Sequence, residues 1–286
     1  MAYSLNKVML IGNLTESPQM RQTPSGTNVV DLNLRVIAKF TRDDDGSLQN
    51  STSFHTVVLW ARMAEVADQY LKAGSQVYIS GRLKTEEWEG EDGKKRRKTK
   101  VIAEELILLD SRNALPPLPQ ESKVGGGLCR AEILGNVARD LELRQTPNGV
   151  NVCNFGVATN RKWRGADENL NEETEFHNIV VWGDLAVETA DKIKKGHKVF
   201  LAGRISNRGW ETPEGEKRRT TEIVADEVLQ LGFFDESAIS QNENSAPRPT
   251  VKPEPQNNSN ESSGGNFEKV ESITHESEIK PEDLPF

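Results

Sequence analysis

The chain has 286 residues, long enough for two domains of ordinary size, but only 35% are hydrophobic and the mean hydropathy is −0.63, so part of it lies outside any core. A net charge of −8 and a pI near 5.3 would exclude a nucleic-acid binder if the charge were evenly spread. It is not: residues 235–286 carry 11 acidic against 4 basic residues, a net of −7, which leaves about −1 for residues 1–234.

In chain order, residues 7–13 read as a first strand. A turn at Thr23-Pro24-Ser25-Gly26 leads into a long second strand with Val30, Leu32, Leu34 and Val36 on its inner face. Phe40 ends that strand and a polar loop follows. The next stretch, Phe54 to Trp60, alternates two kinds of residue. Phe54, Thr56, Val58 and Trp60 go to one face, and His55, Val57 and Leu59 to the other. At about 3.3 Å per residue its two rings stand roughly 20 Å apart. A helix is expected from Ala61 to Ala73, burying Met63, Val66, Ala67, Tyr70 and Leu71, with Gly74 as its stop. Gln76–Trp88 and Arg96–Leu109 complete the set as a strand pair around an Asp92-Gly93 turn.

The chain then repeats itself. At an offset of 123, Gly12-Asn13 falls on Gly135-Asn136, Arg21–Pro24 on Arg144–Pro147, and Phe40 on Trp163. At 122, Phe54-His55 falls on Phe176-His177, Trp60 on Trp182, Gly81-Arg82 on Gly203-Arg204, and Trp88 on Trp210. Cys153, Phe155 and Val157 fill the inner face of the repeated second strand. The second helix is expected to start with Asp184 as its N-cap and to stop at Gly196.

Five strands with one helix between the third and fourth is the order of an OB-fold. The expected fold class is therefore all-β: two five-stranded Greek-key barrels, each with one helix. A five-stranded sandwich with a helical crossover is the alternative, and barrel closure is favoured because it removes every exposed edge. The domains run 1–110 and 128–234. Residues 111–127, rich in Pro and Gly, read as a linker. Residues 235–286 read as a disordered acidic tail.

Four aromatics recur in each copy: Phe40, Phe54, Trp60 and Trp88, then Trp163, Phe176, Trp182 and Trp210. Core packing, a subunit interface, and stacking on nucleic-acid bases are all open for them. Stacking is worth about 1–3 kcal/mol per base and is tolerant of sequence. Cations near these rings would neutralise phosphates. In the first copy they are Arg35, Lys39, Arg62, Lys72 and Lys84, with the run Lys94-Lys95-Arg96-Arg97-Lys98 and Lys100. In the second they are Arg161, Lys162, Arg164 and Arg208. Asp43–Asp45 and Glu86-Glu87 would repel the same phosphates. His55 and His177 lie on the aliphatic sides of their strands and read as packed, hydrogen-bonded residues or a subunit contact. Cys129 and Cys153 make neither a disulfide framework nor a metal spacing, and no cofactor or metal is expected. There is no phosphate-binding loop or nucleophile elbow, so no enzyme is expected. The apolar run Val8–Ile11 is too short for a signal peptide or a membrane span.

Asn6-Lys7-Val8, Gly12-Asn13-Leu14, Pro24–Gly26, Phe54-His55-x-Val57-Val58, Ala64–Ala67, Tyr70-Leu71-Lys72, Gly74–Ile79 and Gly81-Arg82-Leu83 resemble the bacterial single-stranded DNA-binding proteins. The terminal Pro281-Glu282-Asp283-Leu284-Pro285-Phe286 resembles that family's acidic, Pro-Phe-ended peptide. The resemblance implies OB-folds, sequence-independent binding of single-stranded DNA on the eight aromatics, and no catalysis. It also implies docking of replication and repair proteins on residues 281–286 and a cytoplasmic, nucleoid-associated location. Two barrels per chain resemble the duplicated variants, which implies a homodimer presenting four barrels. The family often has Trp where this chain has Phe40, Phe54 and Phe176. An RNA-binding OB protein, or a scaffold whose aromatic faces are subunit interfaces, stands as the alternative function.

Overall fold

The computed structural model describes residues 4–41, 48–90, 93–109, 126–165, 168–211 and 217–232. The acidic loop Asp43–Asp45, most of the expected linker, and everything after residue 232 lie outside the described residues. Both barrels belong to one compact unit, Met1–Phe234.

The elements of the first repeat are β1 (Leu5–Leu14), β2 (Met20–Gln22), β3 (Asn28–Thr41), β4 (Leu48–Trp60), α1 (Arg62–Tyr70), β5 (Gln76–Glu89) and β6 (Lys95–Leu108). Those of the second are β7 (Leu128–Val137), β8 (Glu142–Gln145), β9 (Asn151–Arg164), β10 (Leu170–Trp182), α2 (Gly183–Lys192), β11 (Lys198–Glu211) and β12 (Lys217–Leu231). Five strands of each repeat close on themselves. In the first, β1 pairs with β3, β3 with β4, β4 in parallel with β6, β6 with β5, and β5 again with β1. The second closes in the same order, so each repeat is an OB-fold barrel. The short strands β2 and β8 are additions that pattern did not reveal. Met20, Arg21 and Gln22 are all exposed and carry no alternation.

The barrel interiors follow from period-two alternation. Val30, Leu32, Leu34 and Val36 are at most 1% exposed, as are Cys153, Phe155 and Val157 in the counterpart strand. Each Val, Leu, Ile or Phe so buried contributes about 1.5–3 kcal/mol. The helices are shorter than expected. α1 ends at Tyr70, with Leu71 already extended at φ −98° and ψ 151°. Tyr70, expected on the buried side, is therefore 62% exposed at the end of the last turn. Gly74 does not stop the helix; its N–H donates to the Leu14 carbonyl and ties the following turn to β1. α2 begins at Gly183 with Trp182 at the N-cap, so Asp184 lies inside the first turn, and the helix ends at Lys192, before Gly196.

The two barrels meet through β1 and β7, which pair antiparallel from Leu5↔Leu134 to Ile11↔Leu128. Val8 pairs with Ala131, its own repeat counterpart, so an approximate twofold relation passes through that pair. The result is one continuous 12-stranded sheet. Across this seam the Thr85 backbone N–H donates to Glu175 Oε1 at 2.9 Å, and Asn207 Nδ2 donates to the Phe54 carbonyl at 2.8 Å.

Candidate nucleic-acid interface

Strands β4 and β10 carry their aliphatic residues inward and their rings outward. His55, Val57 and Leu59 are buried, whereas Phe54 is 60% and Trp60 41% exposed. The copy repeats this, with Phe176 61% and Trp182 37% exposed over a buried His177, Ile179 and Val181. These four rings are not core residues. Val58 and Val180, on the ring face, are nonetheless buried. Trp88 on the β5–β6 hairpin is exposed, and so is Trp163 near the end of β9, with the Arg161 guanidinium 5.0 Å from its ring centroid. That spacing is a cation–π contact. The backbones of Phe40 and Trp210 lie in β3 and β11, but their side chains are outside the described residues.

Strand register places cations beside the rings. Arg35 stands directly opposite Phe54, and Arg96 directly opposite Trp88, so each pair shares a face. Lys39, Arg62, Lys72, Arg97, Arg161 and Arg208 are exposed, and Arg35 is half-buried. Lys84 differs: it is ion-paired to Glu173 across the seam, so its charge is answered within the protein. Lys100 is likewise held by Glu86 at 2.8 Å, and Lys162 by Glu172 at 3.0 Å. Those pairs also explain how a ring-and-cation face tolerates carboxylates such as Glu86 and Glu172. They are neutralised locally rather than presented to an incoming anion. Residues 281–286 lie outside the described residues.

Neither histidine is poised for acid–base work. His55 Nε2 lies 2.8 Å from Ser53 Oγ and 3.8 Å from Cys129 Sγ, and His177 Nε2 lies 3.0 Å from Thr159 Oγ1. Burial pushes both imidazoles down to about 4, so they are neutral at pH 7. The Cys129 contact makes His55 part of the seam between barrels. Burial pushes both thiols up to about 11, which leaves them protonated. Among the described residues no group of three or more His, Cys, Asp or Glu could hold a metal. Among the same residues, no helix is long and apolar enough to cross a membrane.

Pattern reading missed the seam. Arg82, Glu173, Glu175 and Asn207 bind one barrel to the other, and their partners lie far away in sequence. The one available signal was a mismatch in the repeat: Glu173 and Glu175 fall where the first copy has Ser51 and Ser53.

The chain is similar to known proteins along both repeats. The model of the single-strand binding protein family matches twice, over residues 5–109 and 128–231. The single-stranded DNA-binding protein of Thermus aquaticus is 36% identical over 79% of this chain and 84% of its own length. That of Deinococcus radiodurans is 32% identical over 81% of this chain and 77% of its own. The crystal structure of the wild-type single-stranded DNA-binding protein from Thermus aquaticus superposes with a TM-score of 0.63. It is 32% identical to this chain and covers 81% of it and 95% of its own chain.

Proposed function

The chain belongs to the single-strand binding protein family, and from that membership we propose that it binds single-stranded DNA without regard to sequence. It coats exposed strands during replication, recombination and repair, in the cytoplasm at the nucleoid. The observation that carries this reading is the twice-used strand face. Exposed rings stand at equivalent places on β4 and β10, and on the first barrel cations stand in register with them. Flat rings offer every base a stacking surface, and the cations pair with phosphates, so neither contact depends on base identity. No catalysis is part of the reading. Titration with oligo-dT tests it through tryptophan emission, because stacked bases quench the exposed Trp60, Trp88, Trp163 and Trp182.

The reading assigns DNA binding to domains 1–110 and 128–234, with 111–127 as linker and 235–286 as tether. Its last six residues, Pro281–Phe286, dock replication and repair proteins. The Phe286 ring with Leu284 and Pro285, behind the carboxylates of Glu282 and Asp283, fits an apolar pocket with a basic rim. Deleting residues 281–286 should abolish capture of those proteins while leaving oligo-dT affinity intact. Capture by the shortened chain would remove the docking role.

Two chains associate as a homodimer presenting four barrels. The outer face of the seam supports this. Ile107, Tyr78, Ile11 and Leu128 form one apolar row across β6, β5, β1 and β7. Leu229, Phe200, Leu134 and Leu5 form its counterpart across β12, β11, β7 and β1. Two rows related by an approximate twofold suit a self-complementary contact. Light scattering should give twice the chain mass of 31.9 kDa; a single-chain mass would refute the dimer.

A further inference from the structure

The two barrels do not supply their rings with charge in the same way. Opposite Phe54 in the first barrel stands Arg35, whereas opposite Phe176 in the second stands Ala158, the repeat counterpart of Arg35. Phe176 therefore has no cation from its cross-strand neighbour. A cation of the other barrel, Arg97, lines the same cleft as Phe176. Thr85, Arg97 and Thr99 on the β5–β6 hairpin of the first barrel line one shallow cleft together with Phe176, Asn178 and Thr221 of the second.

That hairpin is pinned in place. Its Thr85 N–H donates to Glu175, which is only 8% exposed, and Glu173 receives both Lys84 and Arg82, the latter at 3.6 Å. The related positions in the first barrel are Ser51 and Ser53, so this anchor exists on one side of the seam only. The acids that hold the hairpin are answered by its own cations, and Arg97 is exposed in the cleft that Phe176 also lines.

We propose that Phe176 and Arg97 form one nucleotide subsite across the seam. A base stacks on the Phe176 ring of the second barrel while the adjoining phosphate pairs with the Arg97 guanidinium of the first. The subsite rests on the single-strand reading above, and makes one DNA strand bridge both barrels of a chain at this point.

Double-mutant cycles on the full chain with oligo-dT test it. Arg97→Ala should weaken binding several-fold and lower the salt slope by about 0.7, the value for one single-strand phosphate contact. Combined with Phe176→Ala, the loss should fall at least about threefold short of the product of the two single losses, because each residue needs the other to hold the nucleotide. Combined with Phe54→Ala, the losses should multiply. All three side chains are exposed, so the variants fold. Multiplying losses for Arg97 with Phe176, or coupling of Arg97 to Phe54 instead, would overturn the subsite while oligo-dT still binds the unmodified chain. Failure of the unmodified chain to bind would overturn the single-strand reading, and the subsite with it.

Discussion

Replacing Phe54, Trp60, Phe176 and Trp182 together by alanine should weaken oligo-dT binding by roughly 1,000-fold, since each stacked base is worth about 1–3 kcal/mol and the low end of that range already sums to about 4. The loss should be specific to binding. All four rings lie on the outward face, and the residues that hold β4 and β10 in their barrels, Val57, Leu59, Ile179 and Val181, point the other way. Thermal unfolding of the variant should therefore stay close to that of the parent, and its mass by light scattering should not change. Intact affinity with an altered oligomer would instead place the rings in a subunit interface. Salt should weaken the parent only modestly, because stacking carries part of the energy and phosphate pairing the rest.

The largest effect on stability should come from a residue with no side chain. Gly81 and Gly203 sit at a register shift in the antiparallel pairing of β5 with β6 and of β11 with β12. A Cβ on Gly203 would press into the Val224 carbonyl and lie 2.7 Å from Ala225 Cα. On Gly81 it would press into the Ile102 carbonyl and lie 3.0 Å from Ala103 Cα. These obstacles are backbone of the neighbouring strand, at the point where the barrel bends to close, so they cannot rotate away. Gly203→Ala should cost about 3 kcal/mol, at the upper end of overpacking changes. For a unit of this size that lowers the melting temperature by about 10 °C, measurable by calorimetry. A melting temperature within about 2 °C of the parent would mean that the strands can separate there at little cost.

The ring-bearing face was legible because a strand has a period of two: once Val57 and Leu59 are inside, Phe54 and Trp60 must be outside. The barrel was legible because its five alternating stretches and one helical stretch occur in order, twice. Tyr70 escapes the pattern because the 3.6-residue spacing runs on to Ala73, past the real helix end, and Leu71 is buried from an extended conformation. β2 and β8 were invisible since they are held by backbone pairing to β3 and β9, with no apolar face to betray them.

The seam is a different kind of gap. Lys84 and Glu173 are 89 residues apart, and neither belongs to a local pattern. Only the docking of β1 on β7 brings them together, and that docking follows from tertiary packing of two copies rather than from either copy alone. The same holds for Arg97. In sequence it is one cation in a basic run; in the folded chain it lines a cleft together with Phe176 of the other barrel.

One titration decides whether the outward rings are a DNA-binding surface. The full chain is mixed with increasing oligo-dT while its tryptophan emission is followed. Stacking on the exposed rings predicts strong, saturable quenching, with an apparent affinity that falls as salt is added. Unchanged emission, together with no shift in electrophoretic mobility, would contradict it.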